Sequence, residues 1–226
     1  MQWSFRTGIK LFGAPLLINI TTLLWIIVLW NFGLAKGLQI FTVLSISLLI
    51  HEYAHVATAK AAGFPADSVT MYIIGGLARI PDISHMSPRT EALVAAAGPI
   101  SSTVLALLSL AITPLFPNPP WILKSTLMIN SMFAIFNMLP IYPMDGGRIL
   151  RATLTSKLGR RKGTQIATYT TYVVGSIVGV CGILYGWWDL APIMLFIMLV
   201  AHSEQAAIKR ASALQEQGYD VDIYDR

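Results

Sequence analysis

Charged residues are scarce in this sequence. Asp, Glu, Lys and Arg make up 12% of its 226 residues, whereas soluble domains carry about 25%. Hydrophobic residues make up 55%, and the mean hydropathy is +0.63. This balance excludes an ordinary soluble domain and predicts a chain that crosses a membrane several times.

Cysteine and basic clusters are also rare. The single cysteine, Cys181, excludes an intrachain disulfide. The net charge is +5, but no basic patch is interleaved with aromatic residues, so we expect no nucleic-acid partner. Lys and Arg concentrate at the N-terminus and in residues 63–91 and 148–165. This distribution predicts that these loops and both chain termini face the cytoplasm.

The apolar stretches predict an α-helical polytopic membrane protein with about six transmembrane helices. We place one membrane domain at residues 1–208 and a polar tail at 209–226. Residues 1–30 also resemble a signal peptide, but no small-residue cleavage site follows, which favours a retained first span. The predicted spans are 14–34, 38–62, 92–116, 121–139, 166–184 and 190–201, the last of which can extend to 208.

A short β-hairpin is predicted between the second and third spans. Val69–Ile74 and Leu77–Ile80 are β-like runs that flank Gly75–Gly76. Such a hairpin adds a small β-element to an otherwise helical chain.

The second span carries His51, Glu52 and His55 in a His-Glu-x-x-His pattern. Helical residues four apart share a face, so the two imidazoles can hold one zinc ion. Glu52 projects about 100° away, where it can act as a base on a water activated by the ion. Ionisable residues at membrane depth indicate a functional site.

Catalytic zinc generally takes a third protein ligand, and the candidates are Asp145, Glu91, His85 and His202. Asp145 is favoured, because a carboxylate in an apolar segment rich in Pro and Gly is unfavourable unless it is paired or metal-bound. The alternatives for Asp145 are an ion pair with Arg148 and a cap of the following helix. Glu91 is explained by the dipole of the helix that it opens. We expect His85 to be solvated and His202 to be an interfacial polar residue.

Asn137 is the predicted substrate-binding residue. It lies on the predicted fourth span, on the same face as Asn130 and on the same segment as Asp145. Two polar residues on one face point into a helix bundle rather than at lipid. The amide of Asn137 can donate to a substrate carbonyl, and an interhelical hydrogen bond is the alternative role.

These two motifs resemble those of the site-2 protease family of intramembrane zinc metalloproteases. Residues 51–55 are similar to the first family motif, and Asn137–Pro140 with Met144–Arg148 is similar to the second. The resemblance covers most of the chain. It implies that His51, His55 and Asp145 bind one Zn²⁺ per chain and that Glu52 is the catalytic base.

Other positions partly follow the family pattern. Ala97–Pro99 and Gly75–Gly76 resemble family features, whereas Ala54 stands where Gly is common. Asn19 stands where many members have a histidine in the first span. Neither a PDZ-like insert nor a CBS pair is recognisable, so the chain resembles a minimal family core in a prokaryotic cell membrane.

The resemblance implies an endopeptidase that cleaves peptide bonds in or near transmembrane segments within the lipid bilayer. Its substrates would be membrane-held regulators or signal-peptide remnants. The hairpin could hold an unwound substrate by β-augmentation, which proline at Thr70 or Tyr72 should block. One alternative is a non-catalytic scaffold or chaperone that binds membrane segments, although it would not need Glu52. The other is a zinc transporter, although a transport path would favour several sites.

Overall fold

The computed structural model describes residues 3–25, 29, 33–72, 75–81, 85–188 and 190–217. The chain divides into two compact units, Met1–Pro81 with Ala97–Phe136 and Asp82–Ala96 with Asn137–Arg226. Short 3-10 helices lie at Ile20–Leu24 and Thr113–Leu115. The strands and α-helices of the described residues are β1 (Ser4–Leu11), β2 (Ala14–Asn19), α1 (Leu34–Ala61), β3 (Ser68–Tyr72), β4 (Gly75–Arg79), α2 (Pro88–Ile112), α3 (Trp121–Asn137), α4 (Asp145–Leu158), α5 (Arg160–Leu184) and α6 (Leu190–Glu216).

The helical class with a small sheet is confirmed, but the count of six spans is not. Helix α3, the predicted fourth span, has 17 residues, short of the roughly 20 that a bilayer requires. In the described part of the chain, four helices are long and apolar enough to cross a membrane: Leu34–Ala61, Pro88–Leu115, Arg160–Leu184 and Leu190–Ala207. They correspond to the predicted second, third, fifth and sixth spans.

The predicted first span is wrong at its start, because Ala14–Asn19 forms strand β2 instead of a helix. Phe12 and Gly13 have φ angles of 52° and 98°, the left-handed pair that a two-residue hairpin requires. Antiparallel pairing with β1 and parallel pairing with β3 then stabilise an extended conformation, in which Ala14, Leu16 and Asn19 are buried. Residues 26–28 and 30–32 of the predicted span lie outside the described residues.

The four strands form one sheet in the order β1-β2-β3-β4. Strands β2 and β3 are parallel, and β3 and β4 form the predicted antiparallel hairpin. Gly75 and Gly76 belong to β4, where they lie opposite Tyr72 and Met71. Thr70 and Tyr72 belong to β3, an interior strand, so proline there would break the sheet itself. The edge strand of the hairpin is β4.

Helix α1 packs against this sheet through a shared hydrophobic core. Alternate residues of β2 and β3 point to the helix, as the period of a strand requires. Helix α1 ends in a Schellman motif, in which Phe64 N–H donates to Ala59 O and Gly63 N–H to Lys60 O. The shared core contains Ala14, Leu16, Leu48, Tyr53, Val56, Val69 and Met71.

Helices α5 and α6 show the polarity expected of helices in lipid. Thr168 and Thr171 of α5 are fully buried, whereas Val173 and Ile177 are 60% and 57% exposed. Lipid tails are as apolar as these side chains, so polar groups turn inward and apolar ones outward. Helix α6 continues through position 208, and the tail beyond residue 217 lies outside the described residues.

Candidate active site

His51 and His55 are one turn apart on α1, as their spacing predicts. Both are buried, with 3% and 4% of their surface exposed. Their ring centroids are 4.9 Å apart, and the ring planes meet at 78°. The two imidazoles are therefore close neighbours in an interior setting.

A serine on α2 orients the first of these rings. His51 Nδ1 lies 3.0 Å from the Oγ of Ser102, which is fully buried. A neutral imidazole that binds a metal through Nε2 carries its proton on Nδ1, and this N–H can donate to Ser102. Such outer contacts set both the tautomer and the ring orientation of metal-binding histidines.

Gly98 shows that the two Nε2 atoms converge. A Cβ added to this residue would overlap Nε2 of both His51 and His55. Both nitrogens therefore face the same position on α2, where a residue without a side chain leaves room beside them. Two converging imidazole nitrogens fit the donor set of a catalytic zinc site.

Glu52 is buried, with 9% of its surface exposed, and it lies against strand β4. Its Oε2 accepts a hydrogen bond from the Ala78 backbone N–H at 3.0 Å. A Cβ on Gly76 would lie 2.5 Å from Glu52 Cγ. Sheet and helix thus position the carboxylate next to the histidine-bearing turn.

Asp145 is the first residue of α4 and is 5% exposed. It lies in the first helical turn, as Glu91 does in α2, so the dipole argument applies to both carboxylates. Arg148 Nη1 lies 3.4 Å from Asp145 Oδ1, a long contact. The ion pair with Arg148, proposed as one alternative, is therefore present and does not exclude a metal. The other alternative is wrong, because the N-cap of α4 is Met144 and not Asp145.

The loop before α4 packs tightly against the start of that helix. A Cβ on Gly146 or Gly147 would overlap backbone atoms of residues 138–142. Glycine at both positions allows this close approach. The backbone that carries Asp145 is therefore held by its own loop.

Glu91 is fully buried and accepts hydrogen bonds from Arg151, whose Nε lies 3.0 Å from Oε1. Arg151 Nη1 also donates to Tyr142 Oη at 2.9 Å. Burial raises the pKa of the Tyr142 hydroxyl, which keeps it neutral. Glu91 thus supplies the close negative charge for Arg151, which explains its burial without a metal.

The two remaining histidine candidates lie elsewhere. His202 is exposed, and its Nδ1 is 3.0 Å from Tyr172 Oη. His85 is exposed in the residues before α2. These placements agree with the polar roles predicted for both.

Of the two asparagines predicted to share a face, Asn130 is fully buried and donates to Ser47 Oγ at 2.9 Å. Its predicted inward orientation is confirmed. Asn137 is the last residue of α3 and is half-buried. Its substrate-binding role stays a prediction.

Sequence reasoning missed three contributors to the site. Gly98 was noted only as part of the family-like Ala97–Pro99, and Ser102 and the Ala78 backbone were not considered. The sequence signal was weak, since a serine or glycine in an apolar helix is common. Their contacts join residues far apart in the chain, which local spacing does not predict.

Comparisons with known proteins agree with this architecture. The sequence model of Peptidase family M50 matches residues 39–119 and 117–178, which include every predicted site residue. The zinc metalloprotease MJ0392 of Methanocaldococcus jannaschii is 29% identical over 209 residues, which cover 89% of this chain and 59% of that protein. Rip3 of Mycobacterium tuberculosis is 30% identical over 196 residues, which cover 80% of this chain and 49% of that protein. The chain spans about half the length of these curated relatives.

The fold has a solved counterpart. A site-2 protease structure from Methanocaldococcus jannaschii matches with a TM-score of 0.68 and 29% identity, over 90% of this chain and 95% of that chain. Zn²⁺ is the cofactor that the observations support, because a relative is named a zinc metalloprotease and His51, His55 and Asp145 are buried zinc-ligand types. The chain is an integral membrane protein with the site-2 protease fold, and it belongs to Peptidase family M50.

Proposed function

We propose that this chain is a zinc-dependent endopeptidase that hydrolyses peptide bonds in or near transmembrane segments of membrane proteins. One observation carries the proposal: the Nε2 atoms of two buried histidines on α1, His51 and His55, converge at Gly98 of α2. The residue after His51 on α1 is Glu52, whose carboxylate is also buried. Helix α1 is long and apolar enough to cross a membrane. A protease site at that depth acts on membrane-embedded chains.

His51, His55 and Asp145 are the proposed ligands of one zinc ion. Two imidazoles and a carboxylate are a donor set that catalytic zinc takes in proteins. Bound zinc supplies Lewis acidity for the scissile carbonyl and lowers the pKa of a water. Ser102 keeps the His51 ring in the orientation that presents Nε2.

Glu52 is the proposed general base and acid. Its carboxylate takes a proton from the attacking water and then gives a proton to the amide nitrogen of the leaving chain. The C–N bond breaks, and the products are a carboxylate and an amine. Asn137 is the proposed donor to a substrate carbonyl, because its amide lies on the segment that leads to Asp145.

The proposed substrates are transmembrane proteins, such as membrane-held regulators or signal-peptide remnants. A helix hides its carbonyls in its own hydrogen bonds, so the substrate must unwind before cleavage. We place the enzyme in a prokaryotic cell membrane, on the basis of its resemblance to a minimal family core. The distribution of Lys and Arg favours a cytoplasmic location of both termini.

The first test uses the purified chain in lipid vesicles with a single-span protein as substrate. Cleavage should stop when a chelator removes zinc and return when zinc is added. Asp145→Asn should lower both zinc content and cleavage, whereas Asp67→Asn, at an exposed carboxylate, should change neither. Zinc flux without cleavage would favour the transporter, and zinc-independent binding without cleavage would favour the scaffold.

A further inference from the structure

The loop that leads to Asp145 ends in a tight turn. Met144 N–H donates to Ile141 O at 2.8 Å, which closes a four-residue turn from Ile141 to Met144. Asp145 follows this turn directly, as the first residue of α4. Ile141 is fully buried, and Tyr142 is 8% exposed. The position of the Asp145 backbone therefore depends on what holds this buried turn.

Thr171 of α5 holds the turn through the backbone of Tyr142. The Tyr142 N–H donates to Thr171 Oγ1 at 2.7 Å across 29 residues of sequence, and Thr171 is fully buried. The Thr171 hydroxyl donates in turn to Ala167 O of its own helix at 2.9 Å, and Tyr142 O is a more distant acceptor at 3.4 Å. One hydroxyl thus joins the turn to α5.

Tyr142 is also held from the side of α4. A Cβ on Gly147 would overlap Tyr142 N, so backbone meets backbone here without an intervening side chain. The Arg151 guanidinium lies 4.7 Å from the centroid of the Tyr142 ring, and its Nη1 donates to Tyr142 Oη. Gly147 and Arg151 belong to α4, the helix that begins with Asp145, whereas Thr171 fixes the turn from a different helix.

The acceptor that Thr171 offers has a fixed position. A buried amide in an irregular segment needs an acceptor, and a water molecule could satisfy it without fixing the turn. The bond to Ala167 O instead selects the side-chain rotamer of Thr171. The Tyr142 amide is therefore tied to a point on α5 that does not move with the turn.

We propose that Thr171 is a positioning residue for Asp145. Its hydroxyl fixes the turn Ile141–Met144 before zinc binds, so the Asp145 carboxylate need not be ordered when the ion arrives. Preorganised groups bind more tightly, because their ordering does not oppose binding. This inference rests on the proposed function, since it takes Asp145 as a zinc ligand.

The test removes the hydroxyl and keeps the shape of the side chain. Thr171→Val, in the purified full chain in detergent, is titrated with zinc against a competing chelator. Thr168→Val is the matched control, because Thr168 is equally buried on α5 and its Oγ1 donates to Thr164 O of the same helix at 3.0 Å. Thr171→Ser restores the hydroxyl. If Thr171→Val does not fold, Thr171→Ala is compared with Thr168→Ala in the same way.

Thr171→Val should raise the dissociation constant for zinc about tenfold, the lower end of the effect of outer contacts on a metal site. Thr168→Val and Thr171→Ser should leave this constant within about threefold of its value in the unaltered chain, since both keep the acceptor for Tyr142 N–H. Thermal unfolding of the zinc-free protein, followed on the same samples, separates a loss of stability from a loss of zinc affinity.

Two results would overturn the inference. One is equal zinc affinity in Thr171→Val and Thr168→Val, whatever their unfolding temperatures, which would restrict Thr171 to holding the fold. The other is an equal loss of affinity in Thr171→Val and Thr171→Ser, which would show that the hydroxyl is not the cause. Failure of the proposed function shows separately, as zinc binding by the unaltered chain without cleavage of a single-span substrate.

Discussion

His51 Nδ1 and Ser102 Oγ lie 3.0 Å apart and join α1 to α2 across 51 residues of sequence. The contact fixes one ring of a histidine pair whose Nε2 atoms share a neighbour at Gly98. The orientation of that pair therefore depends on α2 as well as on the helix that carries it.

Ser102→Ala should weaken zinc binding without unfolding the chain. Loss of an outer-shell partner typically lowers metal affinity about 10- to 100-fold. Competition with a chromophoric chelator measures this. Ser101→Ala is the matched control, because Ser101 Oγ donates to Gly98 O of its own helix. Equal zinc affinity in both variants would show that Ser102 does not orient His51.

Gly98→Ala should abolish zinc binding and cleavage, because the added Cβ overlaps Nε2 of both histidines. Metal analysis of the purified protein measures the loss. The control is Gly179→Ala on α5, where a new Cβ has its nearest neighbour at 3.6 Å, an ordinary contact. Full zinc content in Gly98→Ala would contradict the convergence of the two nitrogens.

Glu91→Gln should destabilise the protein strongly. Arg151 is 5% exposed, and the variant leaves its buried charge with only the carboxylate of Glu204, 3.5 Å from Nη1. Breaking a buried pair costs about 3–5 kcal/mol, and the remaining contact with Glu204 places the expected loss towards the lower end. Thermal unfolding in detergent measures the change. The comparison is Asp67→Asn at the exposed pair with Arg79, where N and O are 3.8 Å apart and a loss below about 1 kcal/mol is expected. Similar losses of stability in the two variants would argue against a buried ion pair between Glu91 and Arg151.

Local spacing predicted the parts of the site that lie on one helix. Residues four apart on α1 meet because of helical geometry alone, so His51 and His55 were found without a fold. The hairpin of β3 and β4 was also predicted from the sequence, because short β-like runs flank Gly75 and Gly76.

The remaining features depend on contacts that spacing does not encode. Strand β2 was mistaken for the start of a span, because apolar residues on both of its faces hide the period of two. Arg151 was counted only among the Lys and Arg of residues 148–165, and Glu91 was assigned to a helix dipole. Their pairing was missed because 60 residues of sequence separate them. In both cases the structure is determined by contacts between residues that are distant in sequence: the pairing of β2 with its neighbouring strands and the ion pair of Arg151 with Glu91.

The measurement that tests the central claim most directly is cleavage by Glu52→Gln in lipid vesicles, with zinc content determined on the same sample. A general base typically contributes about 10²- to 10⁴-fold to the rate. The account predicts a loss of that size with zinc content equal to that of the unaltered chain. Cleavage at the unaltered rate by Glu52→Gln with zinc bound would contradict it.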